Sequence, residues 1–288
     1  MMAEDLIAIL DFGSQYTHLI ARRIREFEVR SDIFPFDASA KELISIKPKG
    51  MILSGSPASV YEKDAPLCDR KIFDLGIPIL GICYGMQITT HILGGSVKQG
   101  EKREYGKTEL IILDKSELFQ GLSDKTIVWM SHGDYVDHLP EGFDVIANSE
   151  NCPIAAMRNK DKRIFGLQFH PEVVHTEKGV DILKNFILNI CKCKPAWKME
   201  FFIEKTISEI KDKVRNEKVL CALSGGVDSS TVATLIYRAI GENLTCIFVD
   251  HGLLRKNEAQ EIVKTFRENY KMKLIYVNAS SKFLRRLK

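Results

Sequence analysis

Short apolar runs alternate with amphipathic stretches through the first part of the chain. Leu6-Ile7-Ala8-Ile9-Leu10 predicts a buried strand that stops at Asp11-Phe12-Gly13-Ser14-Gln15. Over about 16–27, Leu19, Ile20, Ile24 and Phe27 recur at helical spacing. A short strand near Asp32-Ile33-Phe34 follows, then a helix around Lys41, Leu43 and Ile46, a strand Gly50-Met51-Ile52-Leu53, and a helix over about 65–75. Pro78-Ile79-Leu80-Gly81-Ile82 predicts another strand, with helical periodicity directly after it through Ile88, Ile92 and Leu93. Alternation of this kind predicts an α/β fold: an open, mostly parallel sheet flanked by helices. Ligands of such sheets bind outside the carboxyl ends of the strands, so the turn at Gly55 and the residue Cys83 are expected on one edge.

From Val97 to Ile164 the pattern changes to short alternating strands: Thr108 to Leu113, Thr126 to Met130, Val145 to Asn148 and Ile154 to Met157. They predict a meandering, partly antiparallel insertion. Arg163 to Phe169 returns as a buried strand ending in His170-Pro171-Glu172, and a helix over about 178–190 closes a first domain, residues 1–190. Residues 191–200, with several Lys and a Pro, read as a linker. A second α/β unit occupies 201–288. Its order is an amphipathic helix (Phe201, Ile203, Ile207, Ile210, Val214), the strand Val219 to Leu223, a helix over about 231–240, the strand Leu244 to Val249, a helix over about 257–268, and the strand Leu274 to Val277.

Composition narrows the function classes. A chain of 288 residues, 45% hydrophobic and 27% charged, suffices for two packed cores. The net charge of +3 is too small to suggest nucleic acid or an anionic membrane as a partner. No apolar run approaches a membrane span, and Met1-Met2-Ala3-Glu4-Asp5 lacks the basic and apolar regions of a signal peptide. Seven dispersed cysteines suit a reducing cytoplasm better than a disulfide framework. Cys191 and Cys193 are the only close pair, without the clustered histidines or second pair of a zinc site.

Two constellations carry chemistry. Gly81-Ile82-Cys83-Tyr84-Gly85 between strand and helix has the nucleophile-elbow pattern with a thiol at its centre; a buried structural cysteine beside a Gly-rich turn is the alternative. A thiol nucleophile needs a base, and the base needs an orienting partner. His170 ends a later strand, and Glu172, two residues on in an extended segment, falls on the same side. The backbone N–H groups of Tyr84 and Gly55 are candidates for an oxyanion hole, although Gly55 serves equally as a turn glycine. The second constellation is Ser224-Gly225-Gly226-Val227-Asp228-Ser229-Ser230. It lacks the G-x-x-x-x-G-K-[ST] pattern, but its small residues and hydroxyls before a helix suit phosphate, and Asp228 suits Mg²⁺.

The first motif set, Gly81 to Gln87 with His170-Pro171-Glu172, resembles the class I (triad) glutamine amidotransferase family, whose fold is flavodoxin-like. The resemblance implies that Cys83 attacks the side-chain amide of glutamine, His170 shuttles protons and Glu172 orients it. It also implies that Gln87 and a loop, Ser131-His132-Gly133-Asp134, hold the glutamine. The second motif resembles the SGGxDS loop of the N-type ATP pyrophosphatases, Rossmann-like adenine nucleotide alpha hydrolases. That implies MgATP as substrate, cleavage between the α- and β-phosphates, and Val249 near the adenine.

Both domains in this order resemble the glutamine-hydrolysing GMP synthase family. The expected reaction adenylates xanthosine monophosphate (XMP), and ammonia then displaces AMP to give GMP, with no prosthetic group. Members of that family continue past residue 288, so the expectation is an N-terminal portion of a cytoplasmic homodimer whose XMP contacts and dimerisation domain lie elsewhere. Other readings are an amidotransferase serving a different ATP-dependent amination, or a non-catalytic nucleotide-binding regulator.

Overall fold

A computed structural model of the chain describes residues 4–287; Met1-Met2-Ala3, on which the expected lack of a signal peptide partly rests, and Lys288 lie outside the described residues. The chain divides into two compact units, Met1–Trp197 and Lys198–Lys288.

In the first unit the order is β1 (Leu6–Asp11), α1 (Thr17–Glu26), β2 (Arg30–Pro35), α2 (Ala40–Ser45), β3 (Gly50–Leu53), β4 (Ile79–Ile82) and α3 (Tyr84–Ile92). Then come β5 (Ser96–Ile112), β6 (Lys125–His138), β7 (Asp144–Asn148), β8 (Ala156–Asn159), β9 (Ile164–Leu167) and α4 (Gly179–Lys184), which continues as a π-helix through Ile190. All nine strands join one sheet in the order β2-β1-β3-β4-β9-β8-β7-β5-β6. The strands from β2 to β9 in that order pair in parallel, and the remaining pairs are antiparallel.

The apolar runs are continuous because both faces of the parallel part are covered. Along β1, Ile7 and Ile9 belong to one buried cluster while Ala8 and Leu10 belong to the other. Register then fixes which strand ends meet. Leu10 lies beside Leu53, Leu53 beside Gly81, and Ile82 beside Leu167. The segments that follow these residues therefore emerge together at one edge.

Several expectations need revision. The strands after Val97 are antiparallel as expected, but they extend the first sheet itself, with β5 and β6 as a long hairpin. Residues 131–134 lie within β6, not in a loop. The helix expected over 65–75 is a single 3-10 stretch, Arg70–Asp74. Pro66 disfavours helical geometry at Ala65. Asp69 starts the stretch by accepting from Lys71 N at 3.0 Å. Residues 191–197 are held on the first unit: Cys191 and Cys193 are buried in its core, and Trp197 N donates to Glu28 O at 2.7 Å.

The second unit contains α5 (Met199–Val214), β10 (Val219–Ala222), α6 (Val227–Ile240), β11 (Leu244–Asp250), α7 (Glu258–Val263) with a π-helical continuation to Asn269, β12 (Lys273–Asn278) and α8 (Ser280–Arg286). The three strands are parallel in the order β10-β11-β12. Helix α6 begins at Val227, so half of the Ser-Gly motif is its first turn, earlier than the spacing predicts. Among the described residues no helix is long and apolar enough to cross a membrane. All seven cysteines are free.

Candidate active site

Cys83 stands between β4 and α3 with φ 53° and ψ −106°, a conformation L-residues avoid. Two glycines make the turn geometrically feasible. A Cβ on Gly81 would sit 2.4 Å from the Gly85 carbonyl carbon, and one on Gly85 would sit 2.2 Å from Leu53 O. The bend is tied down by Cys83 N donating to Leu167 O at 2.7 Å. As the residue preceding α3, Cys83 lies at the positive end of the helix dipole.

His170 lies beyond the end of β9, beside the sulfur. Its Nδ1 is 2.7 Å from Glu172 Oε1, and all three residues are buried. The contact is made by a turn through Pro171 rather than by an extended i, i+2 pair. The turn is fixed from both sides: Thr176 Oγ1 donates to His170 O at 2.6 Å, and Arg23 Nε donates to Glu172 O at 3.1 Å. The Tyr16 ring meets the His170 imidazole edge-on at 5.2 Å between centroids.

Burial by itself disfavours a charged imidazole here. The Glu172 carboxylate outweighs it, with Cys83 as a further contributor, and the His170 pKa is held well above its ordinary value. Glu172 Oε2 is buried without a hydrogen-bond partner, so the imidazolium is what compensates its charge.

This pairing has a definite pH signature. His170 keeps its proton to higher pH in the fold than in the unfolded chain. Its contribution to stability is therefore complete below the unfolded pKa, about 6.5, and is lost as pH rises through the raised folded value. Glu172→Gln is expected to lower Tm most below about pH 6.5 and less in alkaline solution. A Tm difference independent of pH would contradict the assignment.

Cys83, Gln87, Gly55, Ser131, His132, Gly133, Asp134 and His170 all border one cavity of about 680 Å³. Gly55 faces His170: a Cβ there would lie 3.4 Å from the imidazole Cε1. The backbone N–H of Tyr84 opens α3 directly after the sulfur, while its side chain is buried and its OH donates to Pro66 O. Gln87 Nε2 donates to Asp134 O at 2.8 Å and approaches Gln168 Oε1 at 3.3 Å. His132 Nδ1 meets Asp134 O at 3.0 Å, and Ser59 Oγ donates to Asp134 Oδ2. Gln87 and His132 thus shape the wall through contacts within the protein. Burial pushes the His132 pKa below its ordinary value, against the opposing charge of Glu104.

Sequence reasoning missed Gln168, which is fully buried with Nε2 3.8 Å from Cys83 Sγ. The signal was a lone amide within the apolar run Ile164 to Phe169. The Ser131 carbonyl, 3.8 Å from the same sulfur, left no sequence signal because every residue has one.

A family model for class-I glutamine amidotransferases matches residues 8–190. The chain belongs to the class-I glutamine amidotransferase family. A PP-loop domain model matches residues 199–283. The glutamine-hydrolyzing GMP synthase of Caldicellulosiruptor saccharolyticus is 54% identical over 286 residues, 99% of this chain and 56% of that protein. That of Bacillus cereus (strain ATCC 10987) is 56% identical over 284 residues, again 99% of this chain and 56% of the relative. The chain thus spans about half the length of these curated relatives. A crystal structure from Thermoplasma acidophilum, described as one subunit of a GMP synthase, superposes with TM-score 0.61 at 33% identity, covering 71% of this chain and all of the other.

The PP-loop unit presents its motif at the carboxyl end of β10. Gly225 has φ +85°, and a Cβ there would lie 2.2 Å from Ile262 Cδ1. The hydroxyls cross-brace the loop: Ser224 Oγ and Ser229 Oγ are 2.9 Å apart, and Ser230 Oγ donates to Gly226 O at 2.7 Å. No side chain caps the start of α6, and Asp228 in its first turn is exposed. Val249 lies near the carboxyl end of the adjacent strand β11 and is 40% exposed.

Proposed function

We propose that the first unit hydrolyses glutamine and that its ammonia serves an ATP-dependent amination, the synthesis of GMP from XMP. The observation that carries the reading is the series of thiol, imidazole and carboxylate at Cys83, His170 and Glu172, with Cys83 and His170 on the wall of one cavity and Glu172 buried behind them. A cysteine attacks as the thiolate, and an adjacent imidazolium and a helix N-terminus both favour that form. Attack on the glutamine amide forms a carbon–sulfur bond and a tetrahedral oxyanion. The N–H groups of Tyr84 and Gly55 are the donors for that oxyanion. His170 gives its proton to the departing nitrogen, ammonia leaves, and a glutamyl thioester remains. His170 then removes a proton from the water that releases glutamate. Glu172 keeps the imidazole oriented throughout.

In the second unit, the Ser224–Ser230 loop and the start of α6 are suited to the phosphates of ATP, and Val249 to the adenine. Mg²⁺ takes most of its ligands from phosphate and water, so the single exposed carboxylate of Asp228 fits it. When bound it neutralises phosphate charge. Adenylation turns a poor leaving oxygen of XMP into AMP, which ammonia can displace.

The first half is tested by incubating the chain with glutamine and measuring glutamate and ammonia. Equal amounts of both are expected, and none would refute it. The second half is tested in the protein with the further length its relatives have, supplied with MgATP, ammonia and XMP. AMP and GMP are expected in equal amounts. AMP formed with another acceptor and not with XMP would assign a different amination.

A further inference from the structure

Behind the cavity wall, Glu104, His132 and Cys152 bring a carboxylate oxygen, an imidazole nitrogen and a thiol sulfur within 4.8 Å of one another, all buried. From this cluster we infer a binding site for a divalent transition-metal ion, zinc in particular, built from Glu104, His132 and Cys152. Neither the triad nor the handling of glutamine uses these three groups together.

The histidine supplies the first argument. The Asp134 carbonyl can only accept, so the 3.0 Å contact places the ring proton on Nδ1. In the neutral ring Nε2 then holds a lone pair. It lies 3.2 Å from Glu104 Oε2, another acceptor, yet it has no hydrogen-bond partner, and neither has either oxygen of Glu104. Two acceptors in contact and out of water repel unless a cation lies between them. Histidines that ligate metals characteristically donate their other N–H to a backbone carbonyl, which is the arrangement at His132.

Charge and spacing supply the second. A carboxylate, a thiolate and a neutral imidazole carry two negative charges, which a divalent ion cancels, so the occupied site is neutral and suits full burial. Tetrahedral zinc with bonds of about 2.0–2.3 Å holds its ligand atoms roughly 3.3–3.8 Å apart, so small side-chain rotations close this cluster on an ion. The donor set of N, O and S favours zinc over Mg²⁺ or Ca²⁺, which take oxygen. As the sulfur–metal bond forms, Cys152 loses its proton to solvent. The ion would hold His132, and with it the β6 backbone whose neighbouring Ser131 carbonyl lies against Cys83.

The test is metal content and the spectrum of the cobalt form of the chain. Dialysed against Zn²⁺ and then metal-free buffer, the protein is expected to retain about one zinc per chain. With Co²⁺ it is expected to show sulfur-to-cobalt charge transfer in the near ultraviolet. That band should survive Cys83→Ser and disappear in Cys152→Ser. Glu104→Gln, which keeps the shape and removes one charge, should weaken zinc retention at least about tenfold. Persistence of the band in Cys152→Ser would overturn the site by assigning the sulfur elsewhere. So would unmodified protein that keeps less than about a tenth of an equivalent and shows no band, which would leave a shared proton between Glu104 and His132. These readouts do not depend on glutamine hydrolysis, so they separate this site from the proposed activity.

Discussion

Cys83→Ala is expected to lower glutamine hydrolysis by a factor on the order of ten thousand to a million, the loss found when a covalent triad loses its nucleophile. The size follows from the route: without the sulfur there is no thioester, and water is a far weaker nucleophile than a thiolate. The variant keeps the cavity, His170 and Glu172, so glutamine can still enter. A diazo-ketone analogue of glutamine, which alkylates an activated thiol, should label the unmodified chain once and the variant not at all. Stoichiometric labelling of Cys83→Ala would show that another residue is the nucleophile. In a protein of its relatives' length, the same variant should retain an ammonia-dependent reaction, because the second unit has a loop and core of its own. Loss of both activities together would refute the separation of the two sites.

Gly85→Ala is expected to cost more than about 3 kcal/mol of stability, the upper end for overpacked sites. A Cβ there would stand 2.2 Å from Leu53 O and 2.8 Å from Leu53 C, both backbone atoms of a central strand. No flexible side chain can give way, so either β3 or the start of α3 must move. Either movement shifts Cys83 relative to His170, so hydrolysis should fall as well. A typical domain is stable by about 5–15 kcal/mol, so the variant can still fold in part of the population and be measured. A denaturant midpoint within about 1 kcal/mol of the parent chain's would show that the elbow tolerates a side chain. Substitution at Gly81 meets the same helix from the other side.

Much of the site was legible because its signals are local. A glycine on either side of Cys83 states that the backbone must turn tightly with two chains in near contact, and a Cβ on either glycine would strike backbone atoms. His170 and Glu172 are two residues apart, so their pairing requires only one turn. The Ser224–Ser230 loop likewise closes on itself through hydroxyls of its own residues. Such features depend on neighbours within a few positions, and a chain in any fold would keep them.

The rest depends on strands far apart in sequence. Register across β3, β4 and β9 is what carries Gly55, Cys83 and His170 to one edge, and it is set by burial on both faces. Alternation placed strands in 97–164 but could not say that β5 and β6 would join the same sheet, because an antiparallel strand reads alike wherever it pairs. Residues 131–134, expected as a loop, are strand because pairing with β5 continues through them. Gln168 reached Cys83, and Glu104 and Cys152 met His132, only through pairing over tens of residues. The sequence by itself determined that Cys83 must sit on a strained turn between a strand and a helix. Tertiary structure alone decided what surrounds the sulfur, because contact across a sheet is a property of register, and no local pattern encodes it.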